Sequence, residues 1–136
     1  MYVIAFKGDA FLMVKHKARD WEMPGGRLLD GETYEDAARR EFLEETGHLL
    51  QKIVGEIPID REGGRVFVGL AGRRMNCELS SEILEAKEFK ELPRELSFPL
   101  VEYQTMLDRA ERMVETFKNK KSIGRTASPL NSHNTE

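Results

Sequence analysis

The chain has 136 residues, 21 Lys and Arg against 24 Asp and Glu, a formal net charge of −3 and 40% apolar residues. That length suits one domain, and so balanced a charge lacks the basic footprint of a protein that grips duplex nucleic acid by its backbone. Its apolar runs are only a handful of residues, too short to cross a bilayer, so no membrane partner is expected.

The N-terminal run, Met1 to Phe6, is apolar but has no basic flank or small-residue cleavage site, so it reads as a strand and not a signal peptide. Val3 to Phe6 and Phe11 to His16 are two short apolar runs around Lys7-Gly8-Asp9-Ala10, good chemistry for a tight hairpin. A polar stretch leads to Trp21-Glu22-Met23, which stops at Pro24-Gly25-Gly26. The clearest helix covers Tyr34 to Thr46, with Thr33 and Asp36 as a cap at its start and Gly47 as a left-handed stop.

Ile53 to Asp60 and Arg65 to Ala71 read as strands around the turn Arg61-Glu62-Gly63-Gly64. Further short strands are expected over Met75 to Leu79 and Glu85 to Leu92. From Val101 to Phe117, apolar residues recur at steps of three and four, which predicts an amphipathic helix packed on a core. Residues 119–136 are polar and aperiodic and are expected to form a disordered tail outside the domain at 1–118. The order β-β-β-α-β-β-β-α implies an α/β (α+β) fold, an α/β/α sandwich around a mixed sheet. The lone Cys77 has no disulfide partner and no zinc-site companions, so a reducing cytoplasm is the expected compartment.

The first helix carries charge on the wrong face. On a wheel of about 100° per residue, Tyr34, Ala37, Ala38 and Phe42 form an apolar stripe. Glu41 and Glu45 fall inside the stripe and Glu44 lies at its margin. Two carboxylates about 4 Å apart repel by roughly 4 kcal/mol at an effective dielectric near 20. A solvated Glu-rich face is the ordinary explanation of a charge run. A hard divalent cation with oxygen ligands accounts better for carboxylates crowded onto a buried side.

From Gly26 the sequence GRLLDGETYEDAARREFLEETGH resembles the Nudix box, with Gly26, Glu32, Arg40, Glu41, Glu44, Glu45 and Gly47 at the fixed positions. Seven such matches arise by chance about once in 10⁷ to 10⁹ placements. Phe42 and His48 depart from the usual aliphatic residues, and both read as structural. Trp21 to Gly26 and Ser81 to Pro93 are also similar to the strands that flank the box in that family.

The resemblance implies a Nudix fold and a magnesium-dependent hydrolase, with manganese as a possible substitute, acting on a nucleotide at a phosphoanhydride bond. Glu41, Glu44, Glu45 and the Gly26 carbonyl would hold the metal, and Arg40, supported by Glu32, would orient the cluster. Glu82 or Glu85 would supply one more acidic ligand, Glu82 being preferred, and Glu45 or Glu44 would be the general base. Lys15, His16, Lys17 and Arg27 are surface charges that could also meet phosphates. Trp21 could stack on a base or pack in the core, and Glu102 falls where a base-reading residue could stand.

The marks of ADP-ribose, dinucleoside-polyphosphate and NADH-cleaving members are absent around Gly63 to Val66 and elsewhere, which leaves a MutT-like nucleoside triphosphate diphosphatase, including action on oxidised dNTPs. The alternatives are hydrolysis of ADP-ribose or a nucleotide sugar, and a non-catalytic module that binds a nucleotide or RNA end. Monomer and homodimer both remain open.

Overall fold

The computed structural model describes residues 1–59 and 64–127, with only the backbone described over 122–127. Six strands form one mixed sheet: β1 (Tyr2–Lys7), β2 (Ala10–His16), β3 (Trp21–Glu22), β4 (His48–Pro58), β5 (Arg65–Arg74) and β6 (Ile83–Phe89). Strands β1 and β5 run parallel, from Tyr2 opposite Val66 to Phe6 opposite Leu70, and every other pairing is antiparallel. Gly8, at φ 65°, makes the tight β1–β2 turn.

The way β2 shares its two edges positions the site. Strand β6 occupies one edge from Phe11 to His16. On the other edge β1 pairs only near the turn, through Phe6 and Lys7, while β3 pairs farther along, through Val14 and Lys15. The strands β1 and β2 therefore splay apart, and the segment from Trp21 to Gly26 fills the fork. Its far end is laddered to β1: Val3 N–H donates to the Pro24 carbonyl at 2.8 Å, and Gly26 N–H to that of Met1 at 3.0 Å.

Alternation along β1 sends Val3 and Ala5 to one face and Ile4 and Phe6 to the other. Helix α1 (Tyr34–Thr46) covers the first face, with Ala38 and Phe42 on Leu12, Leu50 and Phe67. Helix α2 (Leu100–Ala127) covers the second, with Tyr103, Leu107, Ala110 and Val114 on Phe11, Met13 and Val68. This is the α/β/α sandwich that the order of elements implied. The first helix has its expected bounds: the Thr33 hydroxyl accepts the Asp36 N–H at 3.1 Å, and Gly47, at φ 74°, donates to the Leu43 carbonyl.

Four details differ from the sequence expectation. Strand β4 begins at His48, five residues before Ile53, and three register shifts against β5 break the alternation that would have revealed it. Met75 to Leu79 is not a strand; this loop is tied to the end of α1, Met75 N–H donating to the Gly47 carbonyl and Ser80 N–H to that of Glu44. Strand β6 starts at Ile83 and ends at Phe89. Helix α2 continues to Ala127, so residues 119–127 of the expected tail are helical. The turn at Arg61 to Gly63 and the rest of the tail, 128–136, lie outside the described residues.

Candidate metal and phosphate site

The site grows from the meeting of α1 with the end of the fork. Ala37, Ala38 and Phe42 are fully buried and fix which side of α1 faces the sheet. Helical spacing then turns Glu41 and Glu45 inward, half-buried, and leaves Glu44 exposed. Glu45 Oε1 accepts the Gly25 N–H at 3.0 Å. Glu41 lies so close to Gly26 that a Cβ on that residue would collide with its carboxylate, which would have to move aside.

Arg40 fans out over the rim. Its Nε and Nη2 donate to Glu32 Oε2 and Oε1 at 2.6 and 2.9 Å, Nη2 also donates to the Arg27 carbonyl at 3.0 Å, and Nη1 donates to Glu44 Oε1 at 3.2 Å. Glu41 stands 3.7 Å from the same Nη1. The Arg40 hydrogen bonds hold Glu32 below its ordinary carboxylate pKa, and Glu32 in turn raises that of Arg40.

Burial dominates the other two carboxylates. It raises Glu41, and it pushes Glu45 up to about 7, with Glu41, Glu22 and Glu82 adding repulsion and the Gly25 N–H opposing. These oxygens lie within electrostatic reach of one another, yet no three His, Cys, Asp or Glu groups among the described residues converge on one point. The donor set still suits a hard cation: several carboxylates, two of them reluctant to ionise, beside the Gly26 carbonyl.

Glu82 is exposed, with Oε1 3.3 Å from His16 Nε2, and it acts on Glu45; Glu85 points out from β6 opposite Lys15 and does not figure among the groups acting on Glu45. Lys15 is paired to Asp20 at 3.2 Å. Trp21 is buried, with its ring edge-on to Phe89 at 4.8 Å. Glu102 sits in the first turn of α2 and lines an apolar slot with Tyr2, Met23, Phe98, Tyr103 and Met106, which is only about 20 Å³ as it stands. His48 is buried, its Nδ1 3.1 Å from the Thr46 carbonyl, away from the carboxylates it follows in sequence.

Sequence reasoning missed Glu22. Its side chain is 9% exposed, its carboxylate is clamped by Arg19 Nε and Nη2 at 2.9 and 3.1 Å, and its charge helps to raise the pKa of Glu45. The available signal was a carboxylate flanked by Trp21 and Met23 in a short strand with an arginine three residues earlier. The Tyr103 hydroxyl was also missed; it is buried with no hydrogen-bond partner among the described residues and borders the slot.

A family model of the NUDIX domain matches residues 1–115. The chain belongs to the Nudix family. A putative 8-oxo-dGTP diphosphatase of Bacillus subtilis is 45% identical over 47 residues, 34% of this chain and 32% of that protein. The match thus spans about a third of that relative's length. The pyrophosphohydrolase BsRppH of Bacillus subtilis, solved as a point mutant, superposes with a TM-score of 0.63 at 23% identity, over 85% of this chain and 79% of its own. A bifunctional NMN adenylyltransferase/ADP ribose pyrophosphatase of Francisella tularensis, solved with AMP and a manganese ion, gives a TM-score of 0.56 at 23% identity, over 80% of this chain and 40% of its own. At these identities the two structures speak for the Nudix fold alone.

Proposed function

We propose that this Nudix protein hydrolyses a nucleoside triphosphate, with oxidised dNTPs the first substrates to test, releasing pyrophosphate and a nucleoside monophosphate. One observation carries the reading: Glu45, buried beside Glu41 and fastened to Gly25, has its pKa raised to about 7, so it can both accept and release a proton near neutrality. The likeness to a putative 8-oxo-dGTP diphosphatase supports the choice of substrate class.

A magnesium ion, or manganese in its place, held by Glu41, Glu44, Glu45, Glu82 and the Gly26 carbonyl would neutralise phosphate oxygens and acidify a water for in-line attack. Glu45 is the proposed general base, since burial keeps it basic while Glu44 stays exposed. Arg40 positions Glu44 and Glu41 from the rim, and Glu32 keeps Arg40 aimed. Glu102, the polar member of the slot between Tyr2 and Phe98, is assigned to the nucleoside end of the substrate. The reading places the enzyme in the cytoplasm, with the domain at 1–118 sufficient for the chemistry.

The test is incubation with Mg²⁺ and a panel of dNTPs, oxidised dGTP, ADP-ribose and dinucleoside polyphosphates, with product identification. Pyrophosphate and monophosphate from a triphosphate are the expected products. Cleavage of ADP-ribose alone would shift the substrate class, and binding without turnover would make this a recognition module.

A further inference from the structure

Helix α2 is charge-segregated. Arg109, Arg112, Thr116 and Lys120 follow one another at steps of three and four and share one side. With Val54, Met113 and Phe117 they line an open groove of about 400 Å³ against β4. The opposite side of α2 faces the β1–β2 turn across a second groove, whose charged members are Glu111, Glu115, Asp9 and a single Lys118.

The basic groove does not stop at α2. Phe117 and Lys120 also line its continuation of about 610 Å³, where Lys52, Lys121 and Gln51 join them. Gln51 in turn borders a groove of about 940 Å³ between β4, β5 and α1, which holds Arg39, Arg40 and Arg73. The three grooves share lining residues around the edge strand β4, and no carboxylate among the described residues lines any of them.

Some of these cations are already engaged. Arg39 donates to the Leu50 carbonyl at 2.6 Å, Arg40 is held by Glu32, and Lys52 lies over the Phe117 ring at 5.8 Å. Arg73, Arg109, Arg112, Lys120 and Lys121 are exposed and form no ion pair with another described residue. A run of unpaired cations in a molecule of net charge −3 concentrates positive potential on one track. Apolar surface is interleaved with it: Phe117 between Lys52 and Lys120, and Leu49, 39% exposed, near Arg73.

We propose that this track binds single-stranded nucleic acid, its phosphates on the cations of α2 and β4 and a base against Phe117. Cations interleaved with an aromatic platform suit a single strand, whose bases are free to stack, and an acidic peptide would leave Phe117 unused. The stretch along α2 and Lys52 contains no residue assigned to hydrolysis, and only the far groove reaches Arg40, so binding at the α2 cations and hydrolysis at α1 are tested independently.

The experiment is fluorescence anisotropy with a labelled oligouridylate of about 12 nucleotides, on the full chain, across a salt series. The wild type binds the oligomer, and its affinity falls as salt rises. Arg109→Gln combined with Arg112→Gln and Lys120→Gln weakens binding at least about tenfold and flattens the log–log salt slope by about 2. Phe117→Ala weakens binding several-fold and leaves that slope unchanged. Glu111→Gln with Glu115→Gln, on the other side of α2, does not weaken binding, and triphosphate hydrolysis is the same in all these variants. Thermal melts verify folding; should the triple variant be unfolded, Arg112→Gln alone gives a proportionate loss. No binding to the oligomer, equal binding by the cation variants, or equally tight binding of a duplex, polyglutamate or anionic vesicles overturns the proposal.

Discussion

Glu45 Oε1 accepts the Gly25 N–H at 3.0 Å, so one hydrogen bond joins the buried carboxylate of α1 to the strand segment that enters the fork. That bond favours the ionised form, but burial opposes it more strongly and the carboxyl rises to about 7. Near neutrality this carboxyl is therefore about half protonated, where an exposed glutamate would be ionised.

The first consequence is a pH dependence of stability in metal-free protein. The folded pKa of Glu45 lies above its unfolded value of 4.5, so between the two the native state binds the extra proton. Stability from this group is present at low pH and is lost as pH climbs from about 4.5 to about 7. Glu41, raised by burial, acts in the same direction. Glu45→Gln should flatten the decline, with a melting temperature near pH 8 on the order of 5 °C above that of the wild type by calorimetry. Identical melting curves at both ends of the range would remove burial as the cause.

Glu44 tests the proposed metal site without disturbing the fold. Its side chain is 50% exposed, so Glu44→Gln should shift stability by no more than about 0.5 kcal/mol in urea melts. Turnover with Mg²⁺ should still fall at least about 100-fold, because the lost charge belongs to the cluster that meets the polyphosphate. A variant as active as the wild type would refute the ligand assignment.

Arg40→Lys keeps the charge and loses the fork. A lysine cannot donate in parallel to both oxygens of Glu32 while reaching the Arg27 carbonyl and Glu44. Activity should drop about 10- to 100-fold, the range for losing a group that orients ligands. Glu32→Gln should give a similar loss, and the double variant little more than either alone, since both break one pair.

Gly26→Ala adds a methyl group where the Glu41 carboxylate already lies. Either Glu41 or the chain after Pro24 must move, at a cost of about 1–3 kcal/mol. Steady-state kinetics should show loss of kcat, and chemical denaturation a reduced midpoint with unchanged slope.

Much of this was legible in the sequence, for physical reasons that differ by element. The bounds of α1 followed from Thr33 and Gly47, because caps act through local backbone bonds. The inward turn of Glu41 and Glu45 followed from helical spacing beside Ala38 and Phe42. The start of β4 was hidden because its register shifts scramble the alternation that marks a strand. Glu22 was hidden for another reason: only the splay of β1 from β2 brings it within electrostatic reach of Glu45, and no local pattern encodes that fork. The packing of Trp21 on Phe89 was hidden as well, because the two lie far apart in the chain.

The ladder between β1 and Pro24–Gly26 also bears on how the protein is made. Strand β1 is secured on its far side only by β5, through the parallel run from Tyr2–Val66 to Phe6–Leu70. On a ribosome, α1 with all its glutamates emerges well before that partner. A nascent chain halted short of β5 would carry the whole signature sequence and lack the strand that braces it, so competence should appear late and abruptly during synthesis.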